Sequence, residues 1–170
     1  GSARRGLELT RRSADPGKRA YAQRVTAMCA NELGRFAEAR RELEQAFSRR
    51  PDSPDTAYSL ARVCLAQLDR ARAIEVLQPF VDRAEGVPFE LFMLAGEAYR
   101  RAGDFARAIS VLDKAVSHFG VNALLLNAVG ESYLGLGRTS EALAAFERSL
   151  ALSPDQPEIR KKAEELRKRK

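Results

Sequence analysis

The chain has 170 residues, 45% of them hydrophobic and 31% charged, which is enough apolar content to bury a core. No run reaches the roughly 18 apolar residues a membrane-crossing helix needs, and these residues do not read as a secretory leader. The formal charge of +6 is carried by the ends: residues 1–20 hold six bases against two acids and 155–170 seven against four, while 21–154 hold 16 bases against 17 acids, which argues against a broad basic face for nucleic acid.

In chain order, Gly1-Ser2 reads as an expression scar. Residues 3–19 read as the end of a preceding helix and a turn, since Leu7-x-Leu9 echoes Leu150-x-Leu152 and Asp15-Pro16-Gly17 is a turn sequence. This implies a piece of a longer protein, cut within an earlier unit.

Residues 20–53 form the first full unit. Its first helix offers only Ala27 and Ala30. Its second follows Gly34 with Phe36, Ala39, Leu43 and Ala46 at steps of three and four and closes at Pro51, so it presents one apolar stripe.

Residues 54–88 are introduced by Ser53 as N-cap and open on Pro54 at the first helical position, where a missing N–H costs nothing. Ala57, Leu60, Ala61 and Cys64 stripe the first helix, and Ala73 and Leu77 the second. Pro79 removes the bond to the Glu75 carbonyl, so a kink or an early end is expected near Gln78. Cys29 and Cys64 both fall in helical patterns and read as small buried hydrophobes, with no disulfide framework.

Residues 89–122 and 123–154 write one pattern twice. Phe92, Gly96, Tyr99, Gly103, Ala108 and Leu112 are followed 34 positions later by Leu126, Gly130, Tyr133, Gly137, Ala142 and Phe146. That period belongs to a helix–turn–helix solenoid unit. Ala39, Ala73, Ala108 and Ala142 step by 34, 35 and 34. Ala61, Gly96 and Gly130 fit a close crossing of two helices, while Tyr99, Tyr133 and Phe146 read as core. Residues 155–170 read as a capping helix. Asp155 stands as N-cap with Glu158 three residues on, like a capping box. Ile159, Ala163 and Leu166 form a narrow stripe, and Arg167 to Lys170 make a solvated basic end that suits the helix C-terminus.

The sequence Val129-Gly130-x-x-Tyr133, then Ala142-x-x-x-Phe146 and a closing Pro154, resembles the tetratricopeptide repeat. The resemblance covers residues 20–154 and is strongest in the last two units. It implies an all-α fold, a right-handed α-solenoid of antiparallel helix pairs, in which first helices line a concave groove for a partner protein's peptide or helix. The implied lining is Tyr21, Arg24, Met28 and Asn31; then Asp55, Tyr58, Arg62 and Leu65; then Glu90, Met93, Glu97 and Arg100; then Leu124, Asn127, Glu131 and Leu134.

Tyr58, Leu65, Met93, Leu124 and Leu134 are the apolar binding candidates, because exposed apolar residues in a concave patch mark interaction sites. The competing reading is that they pack between repeats. With Arg24 and Arg62 early and Glu97 and Glu131 late, a bound segment is expected to set its acidic part near Arg62 and its basic part near Glu131.

Co-chaperone members of the family grip a terminal carboxylate with Lys, Asn, Asn, Lys and Arg. The matching positions hold Arg24, Met28, Ser59, Glu90 and Leu94, or, one unit on, Tyr58, Arg62, Leu94, Leu124 and Ala128. Neither set can act as that clamp.

Chemistry lacks its parts. His118 is the sole histidine and has no nucleophile arranged beside it, and Gly135-x-Gly137 reads as a helix–helix corner, since it follows no strand. The expectation is a non-enzymatic scaffold with no cofactor, no metal and no small-molecule substrate. Self-association or a spacer role is the alternative, and nucleic-acid binding through the basic ends is the weaker one. A soluble, cytoplasmic setting is favoured, and the Arg-rich, Lys-poor body points to a bacterial source of high GC content.

Overall fold

A computed structural model describes Gly17 and residues 36–168. The expectations on Tyr21, Arg24, Met28, Cys29, Asn31, Gly34 and Arg169-Lys170 lie outside the described residues. Gly17 is helical; the rest of the turn read around Asp15-Pro16-Gly17 lies outside the described residues.

Among the described residues there are eight α-helices and no strand: α1 Phe36–Arg49, α2 Pro54–Ala66, α3 Arg70–Arg83, α4 Phe89–Arg101, α5 Phe105–Phe119, α6 Ala123–Gly135, α7 Thr139–Leu152 and α8 Pro157–Arg167. The chain divides into two compact units between Pro79 and Phe80.

Three corners are built alike. After α2, the Asp69 N–H bonds the Cys64 carbonyl at 2.9 Å and the Leu68 N–H bonds that of Leu65 at 3.1 Å. After α4 the same pair is Asp104 to Tyr99 and Gly103 to Arg100; after α6 it is Arg138 to Tyr133 and Gly137 to Leu134. These crossed bonds satisfy carbonyls a helix end would otherwise leave bare, and they need one residue in the left-handed region. Gly103 and Gly137 take that place at φ 80° and 72°, but the first corner uses Leu68 at φ 62°.

A left-handed non-glycine residue costs about 1–2 kcal/mol, and glycine's freedom in the unfolded chain returns about 0.4–1 kcal/mol of that. Leu68 is 68% exposed and packs little. Leu68→Gly is therefore expected to stabilise the chain by about 0.5–1 kcal/mol, read as a higher urea midpoint at unchanged slope.

Ser53 caps α2 as expected, its hydroxyl accepting from the Thr56 N–H at 3.3 Å, with Pro54 at the helix start. Asp69 and Asp104 cap the helices after the first two corners, each accepting an N–H at 3.1 Å. At the third corner Arg138 makes no side-chain cap; it pairs with Glu141 at 2.6 Å and lies 4.9 Å from the Tyr133 ring centre.

The first unit is stapled by ions. Arg40 on α1 reaches Asp69 at 2.6 Å, and Arg72 on α3 reaches back to Glu44 on α1 at 2.7 Å. The Arg72 N–H and the Arg40 guanidinium hold the Asp69 carboxyl below its usual range. Cys64 is buried as expected, and its burial pushes the thiol up to about 11.

Pro79 does not end its helix, so of the two expected outcomes the early end does not occur, and α3 continues to Arg83. Val76 and Leu77 before the proline and Phe80 and Val81 after it are all buried to 2% exposure or less. Burial of that apolar stripe, worth about 1.5–3 kcal/mol per large side chain, outweighs one lost backbone bond.

In the second unit α4 packs on α5, α5 on α6, α6 on α7, α7 on α8, and α4 on α6. The crossings are close, as the small residues implied. A Cβ on Gly96 would stand 2.9 Å from the Leu112 side chain, and one on Gly130 would stand 2.5 Å from the Phe146 ring. Tyr99 and Phe146 are buried, and Tyr133 packs partly buried on the cluster of Ala142, Leu143, Phe146, Ala163 and Leu166. The His118 ring lies tilted against Phe92 and edge-on to Phe119.

Helix α8 lays Ala163 and Leu166 on α7, with Ile159 at the margin, which is the stripe read in the sequence. Its capping box does not form. The N-cap is Gln156, one residue later than expected, and it makes no side-chain cap. The Gln156 amide donates instead to the Ser149 hydroxyl and to the carbonyls of Ser149 and Ser153, tying the approach to α8 onto the end of α7.

Candidate functional site

Four of the groove residues named from the sequence meet in one place. Glu97 and Arg100 on α4 and Glu131 and Leu134 on α6 line a cleft of about 550 Å³, together with Arg101, Phe105 and Gly135. They meet because residues 34 apart take equivalent places on equivalent helices: Glu97 and Glu131 are one such pair, Arg100 and Leu134 another. Side chains three and four apart on a helix share a face, so Glu97 with Arg100 and Glu131 with Leu134 present two short stripes to one opening.

One wall was not read in the sequence. A Cβ on Gly135 would stand 2.2 Å from the Phe105 ring, so the absence of a side chain there lets the ring lie against α6. The signal was present in Gly135-x-Gly137, but only the second glycine belongs to the corner.

The charges of the cleft are mostly spent inside the chain. Glu97 pairs with Arg101, one turn on, at 2.6 Å. Glu131 pairs with Lys162 of α8. The two carboxylates at the expected acidic end of the groove are thus both paired within the chain. Arg100 is half-buried, and its side chain makes no ion pair or hydrogen bond among the described residues.

The other candidates are distributed differently. Asn127 donates to the Gln156 side chain at 2.6 Å and so holds the approach to α8. Met93 is half-buried and Leu124 is 63% exposed, and neither lines the cleft. Tyr58 and Arg62 lie in the first unit, with the guanidinium 5.8 Å from the ring centre. Leu65 is 4% exposed and so offers little surface, in keeping with the competing reading that such residues pack. Arg24 and Met28 are outside the described residues. Among the described residues no three metal-ligating side chains converge, and no helix is long and apolar enough to cross a membrane.

Two family profiles, each described as Tetratricopeptide repeat, match the sequence, one over residues 93–157 and the other over 30–85. No curated protein resembles the chain closely enough in sequence to count as a relative. Among solved structures, TTC0263, a thermophilic TPR protein in Thermus thermophilus, is 29% identical with a TM-score of 0.65, over 86% of this chain and 80% of that one. MamA from Desulfovibrio magneticus RS-1 is 18% identical with a TM-score of 0.76, over 88% and 84%. A chain of the APC/C hetero-tetramer Cut9-Hcn1 is 19% identical with a TM-score of 0.71, over 86% of this chain and 29% of its own. The last two show a shared fold, an all-α solenoid of helix pairs.

Proposed function

We infer that this chain, which belongs to the tetratricopeptide repeat family, is a non-enzymatic scaffold that holds a segment of a partner protein between α4 and α6. The observation that carries this reading is the cleft itself. Two successive first helices place Glu97, Arg100, Glu131 and Leu134 around one opening, with Phe105 as an apolar wall. Convergent polar groups around a partly apolar depression are what recognition of a peptide requires. Met93 and Leu124 extend the candidate surface within the same unit, while Tyr58 and Arg62 offer a candidate surface of their own in the first unit.

Photo-crosslinking tests the reading. Benzoylphenylalanine is placed at Glu97, in the cleft, or at Arg148, an exposed α7 position outside it, and each protein is irradiated in lysate of the source organism. A protein adduct formed from position 97 and absent from 148 is the expected result. Equal adducts from both positions, or adducts from 148 alone, would remove the cleft from the interaction. An adduct between two copies of the chain would instead support self-association.

A further inference from the structure

We propose that the segment held between α4 and α6 carries an aspartate or glutamate side chain that pairs with Arg100, next to an apolar side chain set against Phe105 and Leu134. The proposal rests on the partner-binding reading of the cleft and adds the chemistry of what enters it.

The argument is one of charge accounting within the cleft. Glu97 is neutralised by Arg101 and Glu131 by Lys162, so two carboxylates face three cations once Arg100 is included. The surplus charge is that of Arg100, a half-buried residue whose guanidinium is unpartnered among the described residues. A guanidinium that lines the cleft with no acceptor of its own is open to take one, and its planar fork suits a carboxylate with two parallel hydrogen bonds. A basic segment would instead have to displace Arg101 or Lys162 from an existing pair, so the charges discriminate against it.

A chain-terminal carboxylate is not the fit. The places where a clamp for one would put its cations and amides hold Leu94, Leu124 and Ala128, and one guanidinium cannot replace them. A side-chain acid within a continuing segment needs one cation and leaves Phe105 and Leu134 to take its apolar neighbour.

The test selects a phage-displayed library of random 16-residue peptides on the whole chain and titrates the synthetic winners into isotope-labelled protein. The expected outcome is enrichment of Asp or Glu beside Leu, Ile or Phe, with amide shifts at Arg100, Glu131 and Leu134. Arg100→Ala should weaken these peptides about three- to tenfold, and Arg100→Glu should reverse the preference so that the same peptides with Lys in place of the acid bind better. Winners that shift α4 and α6 but are basic or neutral, and that bind Arg100→Ala unchanged, would overturn the acidic-segment proposal and leave the cleft reading standing. Winners that shift neither helix, or no enrichment at all, would overturn the cleft reading itself.

Discussion

Phe146→Ala is expected to cost about 3–5 kcal/mol, the range for emptying an aromatic site in a packed core. Phe146 is fully buried, and its ring occupies the place where α6 and α7 cross, against Gly130. It belongs to the cluster that also takes Ala163 and Leu166 from α8, with Tyr133, Leu134, Leu150 and Ile159 around it. In a repeat array each unit is held by its neighbours alone, so the loss should be local. Urea unfolding followed by circular dichroism should show a lower midpoint. Amide exchange should show α6, α7 and α8 opening together while α2 keeps its protection. Uniform loss of protection would mean that the described chain unfolds as one cooperative block.

The second large effect comes from adding atoms at the same crossing. Gly130→Ala should destabilise by about 1–3 kcal/mol, because the new methyl would fall 2.5 to 2.9 Å from three atoms of the Phe146 ring. That ring is enclosed and has little room to yield. The equivalent change Gly96→Ala meets the branched tip of Leu112 at 2.9 Å, a more pliable neighbour, and should cost less. A double-mutant cycle assigns the cause. Combined with Phe146→Leu, Gly130→Ala should lose most of its penalty, because the smaller side chain vacates the space the methyl needs. Strict additivity would show that the cost arises elsewhere along α6.

What the sequence made legible were the features repeated at 34 residues. Gly96 and Gly130 read as crossing points because the same small residue recurred at the same phase of two apolar stripes, and the Cβ distances bear that out. Ile159, Ala163 and Leu166 read as a cap because a three-residue stripe on a charged helix can cover only one neighbour. What it did not make legible were the pairings between helices. Lys162 on Glu131 and Gln156 on Asn127 join residues about thirty positions apart, and no local spacing announces which of several surface acids a given lysine will choose. Whether the helix would end at Pro79 was illegible for a related reason: local propensity registers the missing N–H, while the burial of Phe80 and Val81 that carries the helix onward is a tertiary fact. Leu65 looked like surface because its phase on α2 matched that of Tyr58 and Arg62, yet it is buried.

The corners leave their mark on how such a chain can drift. Each is closed by main-chain groups alone, Asp69 to Cys64, Asp104 to Tyr99 and Arg138 to Tyr133, all at 2.9 Å. The side chains carried there are therefore spectators to the closure, and substitution at Gln67, Ala102 or Leu136 leaves the bond intact. The constraints fall on the donors, since proline at Asp69, Asp104 or Arg138 would delete the N–H that shuts the turn, and on the left-handed position held by Leu68, Gly103 or Gly137. A lineage can thus rewrite positions such as Gln67, Ala102 and Leu136 while the repeat beneath them keeps its period.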